Sequence, residues 1–224
     1  MSTWNAGEKA PNYSLKFYNG NTTVGSVPRT EIVNLELQRT VFSEKPTVGQ
    51  ANAGELDATF IVPSFTIPRM AKVKVTLVYD GTTYTLGVFY IDTRETSHNG
   101  NRLDILNVHG YDSMLFAEQL YPSTTHEWPV VDTAVVQEAA AAMGVSVDPR
   151  TYNLMTSGYM IPLPGSYSIR EVLGYIASMY VGSFIMTETG LLRLVSITEL
   201  PEETNYLINN AGDAITFGGD RILV

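Results

Sequence analysis

Apolar and polar residues alternate with a period of two through most of the first half of the chain. Val33, Leu35 and Leu37 are separated by Asn34 and Glu36, and Leu56, Ala58, Phe60 and Val62 repeat the pattern until Pro63. Such alternation gives a strand one apolar face, and proline, which has no N–H to donate, ends it. Val73, Val75, Leu77 and Tyr79 alternate with Lys72, Lys74 and Thr76, and after Asp80-Gly81 the set Tyr84, Leu86, Val88 and Tyr90 runs back. An Asp-Gly pair supplies the positive φ angles of a tight hairpin turn. Phe89 and Ile91 fall between members of the returning set, so Val88–Ile91 is apolar on both faces. A strand of that kind is buried twice, once in its own core and once against something else. Asn99-Gly100 predicts a second hairpin, leading into Ile105, Asn107 and His109 interleaved with Leu106 and Val108. Five or more short antiparallel strands in about 80 residues predict a small barrel or sandwich.

The period changes near residue 112. Asp132 or Thr133 is placed to cap a helix carrying Val135, Val136, Ala139, Ala140 and Met143, and Gly144 suits its left-handed stop. Pro149, Pro162 and Pro164 punctuate what reads as a mostly extended stretch. Ser168 with Glu171 three residues on has capping-box spacing, and Ile169, Val172, Leu173, Ile176, Ala177 and Tyr180 form a stripe at helical spacing. A hairpin over Ser183–Thr187 and Leu191–Ile197 follows, turning at Glu188-Thr189-Gly190, and Ile215, Phe217, Ile222 and Val224 are strand-like again. The bare apolar run Ile222-Leu223-Val224 is expected to pair with a neighbouring molecule or to lead into further sequence.

Composition narrows the function classes. The chain has 224 residues, 14 Lys and Arg against 23 Asp and Glu, a net charge of −9 and no cysteine. An acidic chain without a Lys/Arg run is a poor ligand for nucleic acid, which is gripped by basic faces that release counterions. Without cysteine there is no disulfide framework, thiolate metal site or cysteine nucleophile. No apolar run comes near the ~20 residues that span a bilayer. The first residues lack the cationic and apolar regions of a secretory signal, so synthesis in the cytoplasm is expected.

Candidate chemistry is sparse. His98, His109 and His126 are widely spaced and lack a His-Glu-x-x-His arrangement. Carboxylate pairs such as Glu118 with Glu127, or Glu188 with Glu199, have the chemistry of a glycosidase, but 23 acids bring some pairs together by chance. Phosphate-binding glycine loops and a nucleophile elbow are missing from the sequence. The reading is therefore of a protein that is not an enzyme, with no catalytic, cofactor-binding or metal-binding residues and no cofactor. Thirteen tyrosines, many in strands, together with the Trp128 loop, leave a carbohydrate-binding module for the host cell surface as the alternative function.

Several short motifs occur in a telling order. Val48-Gly-Gln-Ala-Asn-Ala-Gly-Glu-Leu-Asp-Ala-Thr-Phe60 precedes Ile67-Pro-Arg-Met-Ala-Lys-Val73 and Leu86-Gly-Val-Phe-Tyr-Ile-Asp92. Val108-His-Gly-Tyr-Asp-Ser-Met114, Glu118-Gln-Leu-Tyr121 and the helix at 168–177 with its Gly-x-Leu hairpin follow. Over roughly residues 30–224 this order resembles the N-terminal region of bacteriophage tail proteins of the baseplate-hub and tail-associated family.

The resemblance implies an α+β, mainly β, protein: an antiparallel tail-tube-like β-barrel over 1–113, completed by 206–224, with an attached α+β domain of two helices and a β-hairpin over 114–205. It implies a structural subunit of a tail tip or baseplate hub, located in the virion. In that family two barrels per chain form a pseudo-sixfold ring that continues the tail tube and joins it to distal tail proteins. One evident barrel departs from that pattern, so trimer and hexamer rings both stay open. DNA would pass transiently through an acidic lumen without specific binding. A ring subunit buries apolar strand surface against its neighbours, and Val88, Phe89, Tyr90, Ile91, Ile222, Leu223 and Val224 are the residues expected at that interface.

Overall fold

The computed structural model describes residues 12–42, 47–98, 104–122 and 126–199, and the backbone of 216–217 and 220–221. Seven strands form one antiparallel sheet: β1 (Asn12–Asn19), β2 (Thr22–Pro28), β3 (Ile32–Gln38), β5 (Glu55–Ile61), β6 (Lys72–Tyr79), β7 (Thr82–Ser97) and β8 (Ile105–Tyr111), with β4 (Gln50–Ala51) set apart from them. The order across the sheet is β2-β1-β6-β7-β8-β5-β3. The turn expected at Asp80-Gly81 joins β6 to β7, with φ of 48° and 76°. Two successive positive φ angles match the right-handed twist of the strands they connect. The turn expected at Asn99-Gly100 lies outside the described residues, although the antiparallel pairing of β7 with β8 holds on either side of it.

β1 and β2 were not foreseen from the pattern. Leu15 and Phe17 on β1 are buried and Tyr13 packs against the same core, while Gly20 at φ 58° turns the chain into β2. The signal was present in the Tyr-x-Leu-x-Phe alternation followed by Asn19-Gly20.

The sheet must curl. Its two edge strands, β2 and β3, are joined only by the single 3-10 turn Arg29–Glu31. A link that short spans at most about 14 Å. The edges of a flat seven-stranded sheet would stand about 29 Å apart. Curling wraps the inner face around Leu15, Phe17, Phe60, Val73, Phe89 and Ile91, all essentially without solvent exposure. The described pairings run from β2 round to β3 and contain no ladder between those two edges.

A second lobe has its own core. A three-stranded sheet takes β11 (Gly182–Met186) and β12 (Leu192–Ser196) as the expected hairpin, with β4 added parallel to β11. Helix α3 (Ile169–Met179) packs on β4 and β11, and α1 (Asp132–Ala142) packs on α3 in the same core. The capping box is present in full: Ser168 Oγ accepts from Glu171 N at 3.2 Å, and Glu171 Oε2 accepts from Ser168 N at 2.7 Å. Val131 rather than Asp132 holds the N-cap position of α1, and Gly144 ends that helix at φ 72° as expected. The alanine run lets α1 sit close to its neighbours, with Ala139 and Ala140 buried.

Two expectations are corrected. The stretch after Pro149 is not wholly extended, because Pro149–Leu154 forms a short helix, α2. Asp148 caps it by accepting from Arg150 N at 2.9 Å, and Pro149 sits at the first helical turn, where its missing N–H costs nothing. A division by sequence at residue 113 also differs from the division in space: Gln50–Ala51 leaves the first lobe, pairs in the sheet of the second, and returns. Two two-residue pairings remain. β9 (Val130–Val131) pairs with β10 (Met160–Ile161), and β13 (Thr216–Phe217) with β14 (Asp220–Arg221).

Candidate assembly surface

The doubly apolar strand meets both lobes of the chain. Phe89 and Ile91 point into the core of the curled sheet and are essentially unexposed. On the opposite face, Tyr90 meets the ring edge of Phe116 at 4.8 Å, and Val88 lies against Gly190 of the β11–β12 turn. The second lobe thus covers part of this outer face and leaves Val88 and Tyr90 half-buried. Ile222, Leu223 and Val224 lie outside the described residues.

The lobes are joined where the chain crosses between them at 52–54 and at 112. Asp112 is buried there and accepts from Gly54 N through Oδ2 at 2.6 Å and from Met114 N through Oδ1 at 2.9 Å. Burial pushes its carboxyl up to about 6, against the pull of those two amides and of the nearby Arg39 and Arg170. Arg170 on α3 donates to Glu118 Oε1 at 2.5 Å, to Met114 O at 3.1 Å and to Ala51 O. Arg39 reaches across the sheet to Leu86 O at 2.6 Å and lies over the Phe89 ring. Arg170 thus braces β4 and the segment after β8 against α3, while Arg39 meets Glu188 of the second lobe at 3.7 Å.

The candidate chemical residues are dispersed. His98 pairs with Asp104 at 3.0 Å, His109 with Asp57 at 2.8 Å, and His126 with Glu138. No group of three metal-ligating side chains occurs among the described residues. Glu118 is tied to Arg170, and Glu188 lies 3.7 Å from Arg39. The Glu199 side chain is outside the described residues. Trp128 is half-buried against the second core, with its ring and that of Tyr121 in a T-shaped pair at 6.3 Å.

Two surface features were missed from sequence. An apolar groove of about 400 Å³ runs between α3 and the segment after β10, lined by Leu163, Tyr167, Tyr175 and Met179 among others. These four are all more than two-fifths exposed. Tyr175 and Met179, four residues apart on α3, lie outside the stripe that marks the buried face, and that spacing was the available signal. The second feature is a lysine stripe, Lys16, Lys72 and Lys74, on the outer face of the curled sheet around Tyr18.

Comparison with known proteins gives fold likeness alone. No protein-family model and no curated protein sequence matches the chain. Solved structures of similar fold include two tail proteins. One is the 43 kDa tail protein of prophage MuSo2 from Shewanella oneidensis, with a TM-score of 0.58 at 15% identity, over 93% of this chain and 62% of that one. The other is the tail protein from Neisseria meningitidis MC58, with a TM-score of 0.54 at 11% identity, over 91% of this chain and 53% of that one. The chain therefore spans between about half and three-fifths of the length of these neighbours.

Proposed function

We propose that the chain is a non-enzymatic structural subunit of a phage tail, assembling as a ring at the tail tip or baseplate hub. In this reading the curled sheet is the tube-like barrel, and neighbouring copies complete the ring around an acidic lumen. The ring continues the tail tube, joins it to distal tail proteins and lets DNA slide through without gripping it. The protein is made in the host cytoplasm and ends in the virion. The observation that carries the reading is fold likeness over nearly the whole chain to two tail proteins, which agrees with the motif order in the sequence.

Three further facts support it. The two lobes touch through Tyr90 against Phe116 and Arg39 beside Glu188, so the subunit presents them as one unit. The second lobe exposes an apolar groove suited to protein contact. A net charge of −9 disfavours retention of DNA. The carbohydrate-binding alternative has less support, because Trp128 is packed against the core.

Electron microscopy of the purified protein, with antibody labelling of tails from the phage or prophage that carries the gene, tests the proposal. Closed rings of threefold or sixfold symmetry and label at the tail tip are expected. A strictly monomeric protein and unlabelled tails overturn it.

A further inference from the structure

The outer face of the curled sheet carries two like-charge pairs in direct cross-strand register. Lys16 on β1 stands opposite Lys74 on β6, next to Tyr18 opposite Lys72. Glu36 on β3 stands opposite Asp57 on β5. Directly opposed side chains have Cβ atoms about 4.5–5.5 Å apart, and like charges at that distance are destabilising.

Within the described chain the basic pair has no acidic partner and the acidic pair has only His109. The lysines have no carboxylate at salt-bridge distance among the described residues. Their company is the Tyr18 ring, 5.6 Å from Lys16 Nζ and 5.4 Å from Lys72 Nζ. Glu36 has no cationic partner among the described residues, and Asp57 has His109 alone. The lysine stripe gathers three of the five lysines of a chain whose net charge is −9. Each arrangement costs stability in the isolated chain, and each cost is lifted by contact with the other.

The positions forbid that contact within one molecule. The order β2-β1-β6-β7-β8-β5-β3 puts the basic pair and the acidic pair four strands apart. On a sheet curled until its edges approach, four steps of seven carry a surface slightly more than halfway round. The two patches therefore face in opposite directions. Different patches that are complementary and point apart make a head-to-tail contact, which closes into a ring when the rotation per copy allows. Lys72 and Lys74 line a groove of about 390 Å³ whose far wall is Gly144-Val145 and Thr189-Gly190 of the second lobe. Glu36 lies on an edge strand, which is free to enter such a groove.

We infer that Lys16 and Lys74 of one copy dock against Glu36 and Asp57 of the next copy of this chain. The inference rests on the ring-subunit reading and names the contact that builds the ring.

Charge reversal on the full chain tests it, read by light scattering and electron microscopy. The wild type assembles, and raising NaCl from about 50 to about 500 mM weakens assembly about tenfold, because exposed ion pairs are screened. The variants K16E/K74E and E36K/D57K each keep the wild-type circular dichroism and stay monomeric, and an equimolar mixture of the two assembles. A K16E/K74E variant that forms rings like the wild type overturns this contact while leaving the ring-subunit reading intact. So does a folded mixture that stays monomeric. A wild type that remains monomeric at every concentration and salt overturns both.

Discussion

Asp112 Oδ2 accepts the backbone N–H of Gly54 at 2.6 Å, joining points 58 residues apart in the chain. The bond is returned, since Asp112 N donates to Gly54 O at 2.9 Å. Gly54 and Asp112 lie on separate crossings between the lobes, so this reciprocal pair ties both crossings together. A Cβ on Gly54 would come within 2.7 Å of the same carboxylate oxygen, which is why that position has no side chain.

The Asp112 carboxyl makes stability depend on pH in an unusual direction. Its folded-state pKa is raised to about 6, mainly by burial. An unfolded-state aspartate titrates near about 3.9, so the gap corresponds to about 3 kcal/mol. This contribution is fully present below about pH 4 and is lost as pH rises through about 6. Asp112→Asn cannot titrate and turns an N–H₂ toward one of the two amides. Urea unfolding of both proteins checks the sign: the stability advantage of wild type over Asp112→Asn is larger near about pH 4.5 than near about pH 7. An advantage that stays constant between those two values contradicts the burial of this carboxyl.

Gly174 lies in the middle of α3, where alanine ordinarily gains about 1 kcal/mol. Here an added Cβ would sit 2.8 Å from the carbonyl oxygen of Gly49, on the chain leading into β4. Gly49 is itself fixed at φ 82° and donates its N–H to Gly182 O at 2.7 Å, so the backbone has little room to retreat. Overpacking wins, and Gly174→Ala is expected to destabilise by about 1–3 kcal/mol. A denaturant midpoint equal to or above that of the wild type would show that the α3–β4 approach is looser than described.

Much of this architecture was legible in the sequence. Period-two alternation located β3, β5, β6, β7 and β8, and the capping box Ser168/Glu171 located the start of α3, because these signals are local. β4 was not legible, since two residues that join a sheet through one parallel pairing carry no periodicity. Its role is set by Arg170 and Gly174 more than 100 positions away. The two-sided apolar character of Val88–Ile91 correctly implied two burials. Whether the second cover comes from another molecule or from Phe116 of the same one is a tertiary fact that the strand itself does not encode. The like-charge pairs were hidden for a related reason: Lys16 and Lys74 are unremarkable until register sets them opposite each other.

Asp132 is fully buried at the start of α1 and accepts from Thr133 N at 2.7 Å, from Tyr159 N at 3.2 Å and from the Tyr180 hydroxyl. The Tyr180 hydroxyl is pushed above the usual tyrosine range by burial and by this neighbouring carboxylate. Tyr180→Phe removes one charge-assisted bond and is expected to cost about 1.5–3 kcal/mol. Asp132→Ala orphans two backbone amides and the hydroxyl together and is expected to cost about 3–5 kcal/mol. Thermal melts of the two variants should rank in that order, and a reversed order would mean that the hydroxyl, not the carboxylate, organises this corner.

Arg170 provides the last test, because it supports the junction both mechanically and electrostatically. Its guanidinium satisfies the carbonyls of Ala51 and Met114 and the Glu118 carboxylate at once. An ammonium is a single point of charge and cannot reproduce a planar fork that reaches three acceptors from one side chain. Arg170→Lys is therefore expected to lose about 1–3 kcal/mol, nearly as much as Arg170→Ala, since either leaves carbonyls at the lobe junction unpaired. The two differ in what they do to Asp112. Arg170 is one of the two cations that hold the Asp112 carboxyl down against burial. Arg170→Ala removes that charge and moves the Asp112 titration to higher pH, whereas Arg170→Lys keeps it nearer the wild-type position. Stability measured across pH for both variants separates the effects: a similar drop at every pH reports the lost hydrogen bonds, and an upward displacement of the Asp112 transition in the alanine variant alone reports the lost charge. If the transition stays where it is in Arg170→Ala, the carboxyl is governed by burial and its two amides, and Arg170 serves the junction through geometry.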